Sequence, residues 1–186
     1  MEFAVRLVLP AGWMPGYQVK PPRWDRTIDM ADDDPNCPLF LARAAGIFAA
    51  NDVRFEVEGF FKAPLPVSTD IGLVYFLEDL PGLLRFLTAP SADPFAVGLW
   101  EQGIQTEFSF SAPVGGDIIE VGCSCTADRE MDHTREHIPR RRLVAQMAEF
   151  AANYREGTRR YLPELLDEAW NQHLFGAVAR LKTTIT

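Results

Sequence analysis

The sequence predicts an α+β fold: an antiparallel sheet with helices packed mainly on one face. Two observations predict it. Between Phe95 and Cys125, apolar side chains recur at every second position in three successive runs. These are Phe95-Val97-Leu99, Ile104-Thr106-Phe108-Phe110 and Ile119-Val121-Cys123-Cys125, separated by Gln102-Gly103 and by Pro113-Val114-Gly115-Gly116. Strict alternation puts each set on one face of a three-stranded meander, and that face needs a cover. From Pro139 onward, Leu143, Val144, Met147, Phe150, Ala151 and Tyr154 recur at helical spacing and form the stripe that can supply it. No repeat, low-complexity tract or linker divides the 186 residues, so one domain is expected, long enough to bury a real core.

Taken in order, Phe3, Val5, Leu7 and Leu9 predict a first strand, ended by Pro10. Residues 12–38 hold five prolines, two glycines and five aspartates and read as a long surface loop, of a length that is often functional. Trp13, Tyr17 and Trp24 either anchor this loop or meet a partner; anchoring is the preferred reading, since an exposed tryptophan is costly in a monomer. Leu39–Ala50 is ambiguous, with alanines favouring a helix and Gly46 a strand. Val53, Phe55 and Val57 then alternate with charged residues, and we expect a hairpin with Asn51-Asp52 at its tip. Ser68-Thr69-Asp70 offers helix-capping side chains before Leu73, Val74, Phe76 and Leu77. Pro81 is expected to start a second short helix, ended by Ala89-Pro90. Residues 126–137 read as a polar stretch. Gly157 and Pro163 weaken the long helix, and Leu165, Leu166, Ala169, Trp170, His173 and Leu174 predict a last helical face. Arg140, Arg141 and Arg142 stand at the start of the long helix, where its dipole disfavours them, so that placement needs compensation.

Composition narrows the function. A net charge of −8 argues against a nucleic-acid ligand. The apolar runs are too short for a membrane helix, and no basic leader precedes the first of them, so a cytoplasmic protein is expected. Three cysteines cannot all pair, which favours reduced thiols. Charge is uneven. Residues 61–137 carry twelve acids against four bases, whereas residues 138–186 carry five acids against eight bases. Solubility and attraction between the two layers account for this split; the sharper reading is an acidic surface that docks a basic partner.

Candidate chemistry is sparse. Cys123 and Cys125 share a strand face, and His133 and His137 share a face if helical, so the four could hold a tetrahedral zinc. Against this, the cysteines continue the buried Ile119-Val121 face, and the histidine pair lacks the glutamate of zinc-protease motifs. Cys37 has no local base pattern for a nucleophile. Asp32-Asp33-Asp34 lacks the glycine and glutamate of a calcium loop, and Glu101 and Glu107 have no support as a sugar-cleaving pair. No phosphate loop, nucleophile elbow or dinucleotide fingerprint is present, and no enzyme is expected.

Several phrases carry a resemblance. They are Gly59-Phe60, Thr69-Asp70-Ile71, Asp79-Leu80-Pro81-Gly82-Leu83-Leu84, Trp100-Glu101-Gln102-Gly103-Ile104, Phe108-Ser109-Phe110, and Gly116-Asp117-Ile118 leading to Cys123. Over about residues 39–180 their order is similar to immunity-type domains of bacterial polymorphic toxin systems. The resemblance implies a non-enzymatic protein that binds a cognate toxin, with no functional residue carried over. A basic toxin domain is then the expected partner, met by the acidic segments. Within them the candidates are Asp25, Asp29, Asp32, Asp33 and Asp34, then Asp128, Glu130, Asp132 and Glu136, with Trp13 and Trp24 as anchors.

Overall fold

The computed structural model describes residues 2–14, 16–21, 39–60, 65–101, 103–113, 116–126 and 134–185. The strands are β1 (Ala4–Val8), β2 (Arg54–Glu58), β3 (Phe95–Glu101), β4 (Ile104–Ser111), β5 (Ile118–Cys125) and β6 (Thr134–Pro139). The helices are α1 (Leu39–Ala50), α2 (Gly72–Thr88), α3 (Arg140–Tyr161) and α4 (Ala169–Ile185), with a 3-10 turn at Pro163–Asp167. The class is α+β, as the alternation requires. β3, β4, β5 and β6 form an antiparallel meander in chain order, and β1 pairs with β2 in a separate ribbon. The inward side chains Val97, Leu99, Phe108, Phe110, Ile119, Val121, Cys123 and Cys125 are all buried. The ribbon lies against this face through Phe3, whose ring is 5.1 Å from Phe108 and 5.8 Å from Phe110.

Three expectations are corrected. Leu39–Ala50 is a helix, and the strand that pairs with β2 is β1, with Leu7 opposite Phe55. Asn51-Asp52 is the stop of that helix rather than a hairpin tip. Asp52 takes a left-handed φ of 62°. Its N–H donates to Ala49 C=O, and the Val53 N–H reaches back to Phe48 C=O, the paired bonds of a Schellman cap. A left-handed Asn-Asp step serves both endings, so the residues alone do not choose. The helix itself is buried almost all round, which erases the stripe that would have identified it.

Pro81 sits inside a single helix α2 rather than starting a second one. Residues 134–139, expected as polar stretch and helix start, are the fourth strand of the meander, so His137 lies on a strand. Its inward positions are Thr134, Glu136 and Ile138, opposite Cys123, Val121 and Ile119. Two of the three are polar, and no apolar alternation signals a strand.

The apolar stripe of α3 is buried as expected. The helix runs through Gly157, where a Cβ would stand 2.9 Å from Phe48 Cζ and 3.2 Å from Leu9 Cδ2. Glycine here admits α1 closely instead of ending the helix. Arg140 finds its compensation at the end of α2: its Nε donates to Leu87 C=O and its Nη2 to Thr88 C=O, each at 2.7 Å. One helix's misplaced cation satisfies the last carbonyls of another.

Candidate functional site

Alternation that fills the core leaves the other face of the four-stranded sheet without a covering element among the described residues. Its rows, read across the strands, are Ser111-Glu120-His137, Ala96-Ser109-Gly122-Arg135 and Gly98-Glu107-Ser124. Most of these side chains are small, and two of the residues, Gly98 and Gly122, have none. Trp100 lies over Gly98 and is 49% exposed, and Ile118, at the far side, is 43% exposed.

The row Ser111-Glu120-His137 brings together three residue types used in nucleophilic catalysis, in the wrong order. Glu120 is central, accepting from Arg135 Nη1 at 2.7 Å and standing 3.4 Å from His137 Nε2. Ser111 and His137 flank it on strands two apart, about 10 Å from each other at the usual strand spacing. A triad needs the imidazole between nucleophile and carboxylate.

Among the described residues the zinc cluster does not close. Cys123 and Cys125 are buried on the inner face, where the Thr106 hydroxyl lies 3.2 Å from Cys125 Sγ. His137 is on the outer face, and the sheet separates it from both. Among the described residues no three metal-ligating side chains converge.

Glu101 and Glu107 have separate surroundings. Glu101 Oε1 accepts from Ser68 N–H at 2.8 Å and holds the entry to α2. Asp79 Oδ2, on α2, accepts from Gly98 N–H at 3.0 Å and closes the open edge of β3. Burial pushes both carboxyls above their usual range; the negative charge of Glu107 adds to the effect at Asp79 and that of Asp70 at Glu101. Each accepts a backbone N–H at a helix–strand joint, which is an architectural use.

Trp13 is half-buried, with the guanidinium carbons of Arg159 and Arg160 at 5.5 and 5.4 Å from its ring. Both arginines bond Glu156, and these bonds hold its carboxyl down at about 2. The Tyr17 ring meets Tyr161 edge-on at 6.3 Å. Lys20 exchanges two backbone bonds with the Asn51 carboxamide, at 2.9 and 3.0 Å. The start of the 12–38 segment is therefore anchored, and Trp13 is one of its anchors. Glu136 points inward and accepts from Phe3 N–H at 2.7 Å. Trp24, Asp25, Asp29, Asp32, Asp33, Asp34, Cys37, Asp128, Glu130, Asp132 and His133 lie outside the described residues.

One feature is absent from the sequence reading: a cleft of about 750 Å³ between β1 and α3. Its helical wall is Arg142, Gln146, Glu149, Asn153, Glu156 and Arg160. These follow alternate spacings of four and three, a polar stripe beside the apolar one. That spacing is the signal that could have found it. Among the described residues no helix is long and apolar enough to cross a membrane. Comparison with known protein families, curated proteins and solved structures finds no match.

Proposed function

We propose that the chain is a non-enzymatic protein-binding protein of the immunity type, acting in the cytoplasm to neutralise a cognate bacterial toxin by covering it with an acidic surface. The observation that carries this reading is the outer face of the four-stranded sheet, which no described element covers and on which Trp100 and Ile118 are exposed. An exposed tryptophan is a residue type enriched at interface centres, where a bulky aromatic anchor supplies affinity. The sheet belongs to the acidic part of the sequence, where twelve acids face four bases. Asp128, Glu130 and Asp132 stand in sequence between β5 and β6. A basic toxin domain is the complementary partner.

The test is a pulldown from the native host, paired with co-expression beside the neighbouring gene product. The expected result is one captured basic protein, protection of the host, and loss of both in Trp100→Ala/Ile118→Ser at unchanged thermal midpoint. Failure to capture any protein, together with no protection, sinks the proposal.

A further inference from the structure

We propose that the Trp100 end of the outer sheet face is a seat for one arginine side chain of the basic partner, held between the Trp100 indole and the Glu107 carboxylate. The inference deepens the toxin-binding reading and rests on it for the partner, but not for the chemistry of the seat.

The arrangement begins with Gly98. Trp100 stands two residues further along β3, on the same side of the sheet. Its indole folds back over Gly98: a Cβ at position 98 would lie 2.1 Å from Trp100 Nε1 and 2.7 Å from Cε2. Only glycine leaves that space to the ring. The indole is thus held along the strand, with the residue still 49% exposed. In the register of the sheet, Gly98 is opposite Glu107 on β4. Directly opposed residues place their side chains about 5 Å apart, so the ring edge over Gly98 stands beside Glu107.

Glu107 is half-buried and has no hydrogen bond or ion pair among the described residues. Asp79 approaches Gly98 from α2, its Oδ2 accepting the Gly98 N–H at 3.0 Å. Burial raises the Asp79 carboxyl; the Gly98 bond opposes this, and the charge of Glu107 raises it further. Two acids therefore meet about Gly98, and neither is paired with a cation among the described residues. Arg135 lines the same small hollow over Gly122 as Glu107 but bonds Glu120 instead, at 2.7 Å.

Charge and shape select the occupant. A guanidinium is planar and always charged, stacks on an aromatic ring and forks onto a carboxylate. A lysine ammonium is a more strongly hydrated point charge and fits the pair less well.

The test uses the full chain labelled with nitrogen-15 and three capped tripeptides. These are Gly-Arg-Gly, Gly-Lys-Gly and Gly-citrulline-Gly, the last with the shape of arginine but no charge. The arginine peptide is expected to move the Trp100 indole N–H and Glu107 amide signals, with a dissociation constant of about 1–10 mM. The lysine peptide should bind about threefold more weakly, and the citrulline peptide not at all. Glu107→Gln should weaken the arginine peptide about fivefold, a loss of 1 kcal/mol. Trp100→Leu, a change at an exposed position, should weaken it at least as much. The proposal is overturned by shifts that spare both signals, by equal binding of the lysine or citrulline peptide, or by unchanged affinity in Glu107→Gln. It is also overturned by no saturable shift up to about 50 mM peptide. The two readings fail separately. Arginine binding without a captured partner or protection keeps the seat and sinks the toxin reading. A partner lost in Trp100→Ala/Ile118→Ser, with no arginine binding, does the reverse.

Discussion

The backbone N–H of Phe3 donates to the carboxylate of Glu136 at 2.7 Å, joining the strand ribbon to the edge of the four-stranded sheet. Both groups are partly buried, and removing the acceptor strands the donor. Glu136→Ala should cost about 1–3 kcal/mol, and Glu136→Gln, which keeps an acceptor, less. Urea midpoints measure the difference. Partner capture by either variant should fall only as far as the folded fraction does.

Gly59 has φ +126°, and a Cβ there would lie 2.6 Å from Phe3 Cα, a backbone atom that cannot swing aside. Gly59→Ala should therefore destabilise by about 2 kcal/mol or more. Gly12→Ala is the control, since nothing lies within 4 Å of its Cβ position. Equal midpoints for the two variants would refute the close approach.

Tyr154 is fully buried, and its hydroxyl has no satisfied hydrogen bond among the described residues although Thr158 and Asn171 are nearby. Burial also pushes its ionisation far above the usual range, so it stays neutral. Tyr154→Phe should be neutral or stabilising by up to about 1 kcal/mol, whereas Tyr154→Ala should cost about 3–5 kcal/mol through the cavity it opens. Thermal unfolding of the three proteins decides it.

Pro81 denies helix α2 the bond from its tenth residue to Leu77 C=O. Pro81→Ala restores a donor and removes an interior proline that costs about 3 kcal/mol in a free helix. The looser unfolded chain returns about 1 kcal/mol of that. A net gain of about 1–2 kcal/mol is expected in denaturant midpoint; a loss would mean that the ring is packed to advantage.

Acid titration should separate two kinds of carboxyl. Glu156 is lowered from its ordinary 4.5 to about 2 by its two arginine bonds, so its contribution is present above 4.5 and is lost as pH falls towards 2. Asp79 and Glu101 are raised by burial, so the folded state binds their protons more tightly and their effect runs the other way, fading as pH rises. Glu156→Gln should flatten the acid limb of the stability curve, and Asp79→Asn should steepen it. Solvent screening keeps the Glu156 effect small, and added salt should shrink it further.

The meander was legible because its strands bury one face only, and period-two alternation survives in the residues from Phe95 to Cys125. Helix α1 was not, because burial on nearly every side leaves no period to read, and because Asn51-Asp52 suits two kinds of chain reversal. Strand β6 escaped for the opposite reason: its inward positions include Thr134 and Glu136, which bond rather than pack. The outer sheet face follows from the alternation once the inner face is known. The β1–α3 cleft does not, since it exists only where Val5 and Gln146 meet across a long separation in sequence. The two cysteines were correctly weighed as core, but His137 could not be placed opposite them until the fourth strand was.

The bonds that hold Phe3 and Leu7 reach partners 133, 143 and 146 residues further along the chain. Closing such loops is entropically expensive and comes late, so docking of the first strand should be a slow phase of folding. During synthesis, at about 5–20 residues per second, that strand waits many seconds for its helix. The danger of edge-to-edge association then belongs to the nascent chain rather than the finished protein, and α3 is the element whose arrival ends it.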